Sequence, residues 1–253
     1  MTVLQVEQKN SRLDLRLNRP EKRNALNSEL VNALTKQFED LSSNMDVKVV
    51  VLSGNGQDFC SGADLESLRK IADSSYEENL ADANELLRLF VAIRKCPVPI
   101  IAMVHGKALA GGCGLATACD IVVASEESVF GYPEVHIGFV PALVSAITRR
   151  NLSEKRAFEL LTLGSRFDAK TAMDYGMINR VVASVELKTV TDSIAETYTK
   201  LPKGAVAATK NLLYDLDNRP FQESLKVAAE VNAKARMTDE CKEGIERFLK
   251  KDS

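Results

Sequence analysis

Pro97-Val98-Pro99-Ile100-Ile101-Ala102-Met103-Val104-His105-Gly106-Lys107-Ala108-Leu109-Ala110-Gly111-Gly112-Cys113-Gly114 runs from an apolar stretch straight into a cluster of glycines. Pro97 to Val104 reads as a buried strand, Gly106 to Gly114 as a glycine-rich turn, and Leu115 onward as a helix start followed by a further strand, Ile121-Val122-Val123-Ala124. Strand, glycine turn and helix make a βα unit. Upstream, Val47-Lys48-Val49-Val50-Val51-Leu52-Ser53 is nearly continuously apolar, as expected of a strand covered by helices on both faces, and Ser75 to Lys95 reads as a long helix between the two strands. Such units in series predict right-handed crossovers around a largely parallel sheet, an α/β fold.

Further out the pattern changes at both ends. Val3, Val6, Leu13, Leu15 and Leu17 alternate with polar residues around Asn10-Ser11, which suggests a hairpin of two half-buried strands. After Pro20 stops the second strand, Leu26, Leu30, Leu34 and Phe38 recur at helical spacing, with Asn27 or Ser28 as the cap. From about Pro141 the apolar positions favour helices, through Ala157 to Leu163, Ala169 to Tyr175, Val185 to Leu201, Ala205 to Leu216 and Phe221 to Phe248. The reading is a core over 1–195 and an all-helical C-terminal region over 196–253, joined without a low-complexity linker.

Composition excludes several classes. With 253 residues, 45% hydrophobic and 27% charged, the chain is that of a globular protein, and a net charge of −2 gives no basic field for nucleic acid. Five scattered cysteines fit a reducing cytoplasm better than a disulfide framework, and two histidines without a CxxC pair argue against a metal. No apolar run approaches the ~20 residues that a membrane span needs, and the N-terminus does not read as a signal peptide.

Two glycine-containing turns share a physical role: Phe59-Cys60-Ser61-Gly62-Ala63-Asp64-Leu65 after one strand, and Ala108-Leu109-Ala110-Gly111-Gly112-Cys113-Gly114 after another. Glycines let backbone approach a ligand closely, and an N–H at a helix N-terminus is aimed outward with the helix dipole behind it. Two such donors converging on one oxygen make an oxyanion hole, worth a factor of about 10²–10³ per donor. The plainer reading of either turn alone is a tight connection.

Arg19-Pro20-Glu21-Lys22-Arg23-Asn24-Ala25-Leu26 and these two turns occur in the order of the enoyl-CoA hydratase/isomerase (crotonase) family, which the chain resembles. Cys119-Asp120-Ile121, Phe130-Gly131-Tyr132-Pro133-Glu134-Val135-His136-Ile137-Gly138 and Cys241-Lys242-Glu243-Gly244-Ile245 extend the likeness over practically the whole chain. The resemblance implies a crotonase-like ββα spiral core, acyl-CoA substrates with no cofactor beyond the coenzyme A they carry, and a homotrimer or homohexamer. Carried over position by position, it implies that the N–H groups of Ala63 and Gly111 hold the thioester oxygen and that Glu134 is the catalytic carboxylate. Lys22, Arg23, Ala25, Ser61, Asp64, Leu65, Phe248 and Lys251 fall at its coenzyme A contacts.

One position departs from the pattern. Many family hydratases carry a second glutamate where this chain has Gly114, so the resemblance implies a single-glutamate site, as in the Δ3-Δ2-enoyl-CoA isomerases. Tyr76, Glu77 and Glu78 are candidates for a replacement polar group, and His136 for a proton partner beside Glu134. Alternatives are a methylglutaconyl-CoA hydratase, an inactive CoA-ester-binding protein, and an enzyme of carrier-protein thioesters.

Overall fold

A computed structural model describes residues 2–44 and 46–250. The alternating N-terminal residues form a hairpin, β1 (Leu4–Lys9) antiparallel to β2 (Arg12–Leu17). Asn27 accepts the N–H of Leu30 and so caps α1 (Ser28–Asp40), which buries Leu30, Leu34 and Phe38. The apolar run becomes β3 (Val49–Gly54), parallel to β2. Asp64 caps α2 (Leu65–Asp73), and a reciprocal Ser75–Glu78 capping box starts α3 (Tyr76–Lys95). β4 (Ile100–Val104) lies parallel beside β3.

The glycine-rich segment is more ordered than a turn. Lys107–Leu109 is a strand, β5, and the next helix, α4 (Gly111–Ala118), begins at Gly111 instead of Leu115. Glycines disfavour a helix, but a Cβ at Gly112 would lie 2.8 Å from the carbonyl carbon of Cys60. Close packing of α4 on the segment after β3 therefore requires glycine there. β6 (Ile121–Ser125) and β7 (Val129–Gly131) follow, then α5 (Ala142–Asn151) and α6 (Glu154–Leu163).

From 196 to 250 the described elements are all helical, but the stretch from Pro141 to 195 is not. β8 (Arg166–Asp168) and β9 (Arg180–Val182) flank α7 (Ala169–Asp174), and strands of three residues carry too few positions to register as alternation. After α8 (Leu187–Lys200) and α9 (Lys203–Asp215), the stretch expected as one helix from Phe221 to Phe248 divides into α10 (Phe221–Arg236) and α11 (Asp239–Leu249). Thr238 restarts the second by accepting the N–H of Cys241.

Two sheets result, one in the order β1-β2-β3-β4-β6-β9, parallel from β2 onward, and a smaller one in the order β5-β7-β8. Alternation along the central strands explains their unbroken hydrophobicity. Val50, Leu52, Ile100, Ala102 and Val122 join the main core, while Val49, Val51, Ile101 and Val123 pack on Leu187 and Ala195 of α8. In α9 to α11 the only buried residue described is Lys210, whose Nζ reaches Asp120 at 2.7 Å and the carbonyl of Val98 at 3.0 Å. Tyr214 also donates to Asp120, so α9 is docked on the start of β6 by polar contacts. Among the described residues no helix is long and apolar enough to cross a membrane.

Candidate active site

Three strand ends deliver the candidate residues to one place. β5 pairs in parallel with β7, setting Ala108 beside Phe130, and a parallel bridge sets Cys60 beside Ala108. Ala63, Gly111 and Glu134 each follow shortly after one of these aligned positions, so all lie beyond the carboxyl ends of neighbouring parallel strands, where α/β folds place their ligands. The two turns touch: a Cβ on Gly62 would lie 2.8 Å from that of Ala110, and one on Gly111 would lie 3.2 Å from Cδ1 of Leu26, the residue bridged to Ala63.

Two backbone donors differ from their neighbours. Gly62 gives its carbonyl to Leu26, Asp64 gives its N–H to Leu26, Leu109 donates to Cys60, and Ala110 donates to Gly131 at 2.8 Å. Among the described residues, the N–H groups of Ala63 and Gly111 have no partner. Gly111 is the first residue of α4, so its N–H points out along the helix dipole. Ala110 before it has φ 50° and ψ −126°, a region an alanine visits only at a cost of about 1–3 kcal/mol, held here by the Ala110–Gly131 bond.

The first turn is fixed by charge. Arg19 donates to Oδ2 of Asp64 at 2.7 Å and to the carbonyl of Ala25, while Oδ1 of Asp64 accepts the N–H of Glu66 at 2.8 Å. Burial alone would raise the Asp64 carboxyl, but the Glu66 N–H and the Arg19 guanidinium outweigh it and hold the group below the ordinary range. Asp64 is therefore a capping and loop-fixing carboxylate. Arg19 is a site-building residue that spacing did not distinguish from its neighbours.

Glu134 sits in a single 3₁₀ turn, Pro133–Ile137, and is half-buried. Its Oε2 is buried and has no hydrogen-bond partner among the described residues. Burial raises its pKa above that of a free glutamate, with its own backbone N–H as a smaller opposing influence. A half-buried carboxylate with an unsatisfied oxygen and a raised pKa is the kind of group that proton transfer requires. Neighbouring nucleophiles are not: the thiols of Cys60 and Cys113 are pushed up to about 12 by burial.

Gly114 lies one turn after Gly111, on the same face of α4. A Cβ there would run into Cγ1 of Val144 on α5 and lie 3.3 Å from Cζ of Phe90 on α3. The space beside Gly114, where the resemblance leads one to expect a second carboxylate, is filled by apolar side chains contributed from distant parts of the chain. The candidate replacements do not fill it either, since Tyr76 is 74% exposed, Glu77 is exposed, and Glu78 is engaged in the capping box. His136 is not aligned with Glu134 on a strand; the 3₁₀ turn carries it outward, where Nε2 meets the carbonyl of Leu163 at 2.9 Å. His105 is likewise structural, with Nε2 3.0 Å from the carbonyl of Gly56.

Of the candidate coenzyme A contacts, Lys22, Arg23, Ala25, Ser61 and Asp64 come together: Ser61 donates to the carbonyl of Arg23 at 3.0 Å, and Lys22 pairs with Glu66 at 3.2 Å. Leu65 contributes its backbone as the first residue of α2. Phe248 is elsewhere, on a groove of about 810 Å³ between α9, α10 and α11 that Leu212, Val227, Val231 and Ile245 also line. Lys251 lies outside the described residues.

The family model for enoyl-CoA hydratase/isomerase matches residues 7–253. The chain belongs to the enoyl-CoA hydratase/isomerase family. A Thermus thermophilus protein provisionally named an enoyl-CoA hydratase is 40% identical over 93% of both chains. The mouse enoyl-CoA hydratase domain-containing protein 3, mitochondrial, is 32% identical over 93% of this chain and 78% of its own. Among solved structures, the enoyl-CoA hydratase of Mycobacterium smegmatis superposes with a TM-score of 0.95 at 32% identity, covering 98% of this chain and 96% of that one. Human enoyl-CoA hydratase domain-containing protein 3 gives 0.91 at 29% identity, over 98% of each chain. The two-sheet α/β architecture described above is thus that of an enoyl-CoA hydratase/isomerase, and acyl-CoA thioesters are the substrates of that family.

Proposed function

We propose that this family member is a single-glutamate enoyl-CoA isomerase. The N–H groups of Ala63 and Gly111 donate to the thioester oxygen of a 3-enoyl-CoA, and as negative charge develops there the C2 proton becomes acidic. The Glu134 carboxylate takes that proton, the double bond moves from C3–C4 to C2–C3, and the same carboxyl returns the proton at C4. Atoms balance with no water consumed. The observation that carries this reading is the apolar filling at Gly114: Val144 and Phe90 occupy the place of a second water-orienting carboxylate, while Glu134 keeps an unsatisfied oxygen.

Hydration of a 2-enoyl-CoA through the same oxyanion hole is the second reading, favoured by the names of the relatives. Parallel assays with crotonyl-CoA and a 3-enoyl-CoA separate the two. Isomerisation predicts a gain of conjugated-thioester absorbance from the 3-enoyl substrate, abolished by Glu134→Gln; consumption of crotonyl-CoA alone would overturn it. Self-assembly as a homotrimer or homohexamer is part of the same proposal. It is supported by the C-terminal groove and by exposed Phe221, Leu225 and Phe248, apolar area that a second copy would cover.

A further inference from the structure

Asp58 is a carboxylate that the proposed chemistry does not use, yet it is only 2% exposed. Its Oδ1 accepts the N–H of Lys107 at 2.9 Å, which ties the segment leading to Ala63 to the segment leading to Gly111. Its Oδ2 is buried and accepts no hydrogen bond among the described residues. A half-satisfied buried carboxylate is costly unless a cation faces it. The cation present is Arg23, whose Nε stands 3.9 Å from Oδ2.

The loop that carries Arg23 is held in an unusual shape. Arg23 and Asn24 both have positive φ, 51° and 54°. The Asn24 side chain holds that shape: its amide donates to the carbonyls of Asn55 and Asp58, each at 2.8 Å, and its oxygen accepts the N–H of Arg19 at 2.9 Å. Three cations lie in this loop. Arg19 is bonded to Asp64 and Lys22 to Glu66, whereas the Arg23 guanidinium makes no hydrogen bond among the described residues and its side chain is 56% exposed. Arg23 thus faces the buried carboxylate as a loose ion pair on its Nε side, and its guanidinium donors are uncommitted among the described residues.

We propose that Asp58 is a positioning residue that presents the fork of Arg23 to an anionic group on the substrate, the phosphates of the nucleotide end of a CoA thioester. This rests on the resemblance that sets Lys22 and Arg23 at coenzyme A contacts, and takes the nucleotide end as the part their charge faces. A guanidinium that faces a carboxylate on its Nε side still has both Nη groups to offer to phosphate oxygens, and biasing its rotamers in advance lessens the entropy that a free arginine loses on binding. Asp58 lies behind Arg23, so its repulsion of the phosphate acts over a longer distance than the attraction of the guanidinium, and Coulomb energy falls with distance.

The test compares kcat/KM for one acyl group carried on coenzyme A and on pantetheine, which lacks the nucleotide. The wild-type protein favours the CoA ester, Asp58→Asn lowers that preference about tenfold, the loss of one charge-assisted contact, and Arg23→Met lowers it as far. The double variant loses no more than Arg23→Met alone. Arg23→Lys, at an exposed side chain where folding is not at stake, also loses the preference, because an ammonium holds all its donors on one atom and lacks the planar fork that spans Asp58 on one side and the phosphate on the other. A wild type indifferent to the nucleotide overturns the reading of the loop itself. A wild type that discriminates, with Asp58→Asn keeping or raising the preference or Arg23→Lys retaining it, overturns the role of Asp58 alone.

Discussion

The turns at Ser61–Asp64 and at Leu109–Gly111 each contribute one unpaired N–H, but different forces hold them. The first is fixed by side-chain charge, through Arg19 and Asp64. The second is fixed by backbone packing: β5 lies against β7, α4 sits on Cys60, and Ala110 is kept at positive φ by its bond to Gly131. An ion pair can be weakened by degrees, whereas a backbone contact with no room for a methyl group fails all at once. The contrast predicts very unequal responses to small substitutions.

The largest effect is expected at Gly112. An alanine there would press its Cβ on the Cys60 backbone and part the two turns, so Gly112→Ala should lower kcat/KM by about 10³-fold or more, the value of misplacing both donors, in steady-state assays. Next comes Arg19→Met. It leaves Asp64 buried without its counter-charge, and we expect a loss of about 3 kcal/mol in denaturant unfolding with roughly a tenfold fall in kcat/KM, since only one donor is loosened. Gly111→Ala keeps its N–H and meets only Cδ1 of Leu26, so a change below about tenfold is expected, and a collapse as large as that at Gly112 would contradict the distinction.

The smallest effect concerns stability. Burial raises the Glu134 pKa in the folded state above its unfolded value, so its favourable contribution to stability is full below the unfolded pKa and is lost as pH rises through the folded one. Glu134→Gln should therefore raise the melting temperature modestly at neutral pH, with the gain shrinking toward pH 4. In the wild type the same shift moves the acid limb of kcat/KM above the range of a free glutamate, because the base form fills only at higher pH.

The sheet was legible because β3 and β4 are unbroken apolar runs, and the turns because glycines punctuate them. Asn27 as a helix start follows from local chemistry that short spacing reveals. Glu134 was legible only through its motif, since nothing local says that the 3₁₀ turn buries one of its oxygens. What escaped depends on contacts between remote segments. Val144 fills the space beside Gly114 from thirty residues downstream, and Arg23 finds Asp58 only once two loops are folded together. β8 and β9 were too short to alternate. The break at Thr238 is a capping signal inside an otherwise helical pattern.

The most direct test of the central claim is hydrogen exchange at C2 of a saturated acyl-CoA in D2O, followed by NMR, because it reads enolate formation without requiring isomerisation or hydration. We expect deuterium to enter C2 in the presence of the wild-type protein and not with Glu134→Gln. Exchange that survives Glu134→Gln, or no exchange above the solvent rate with the wild type, would contradict an enolate held by Ala63 and Gly111 and formed by Glu134.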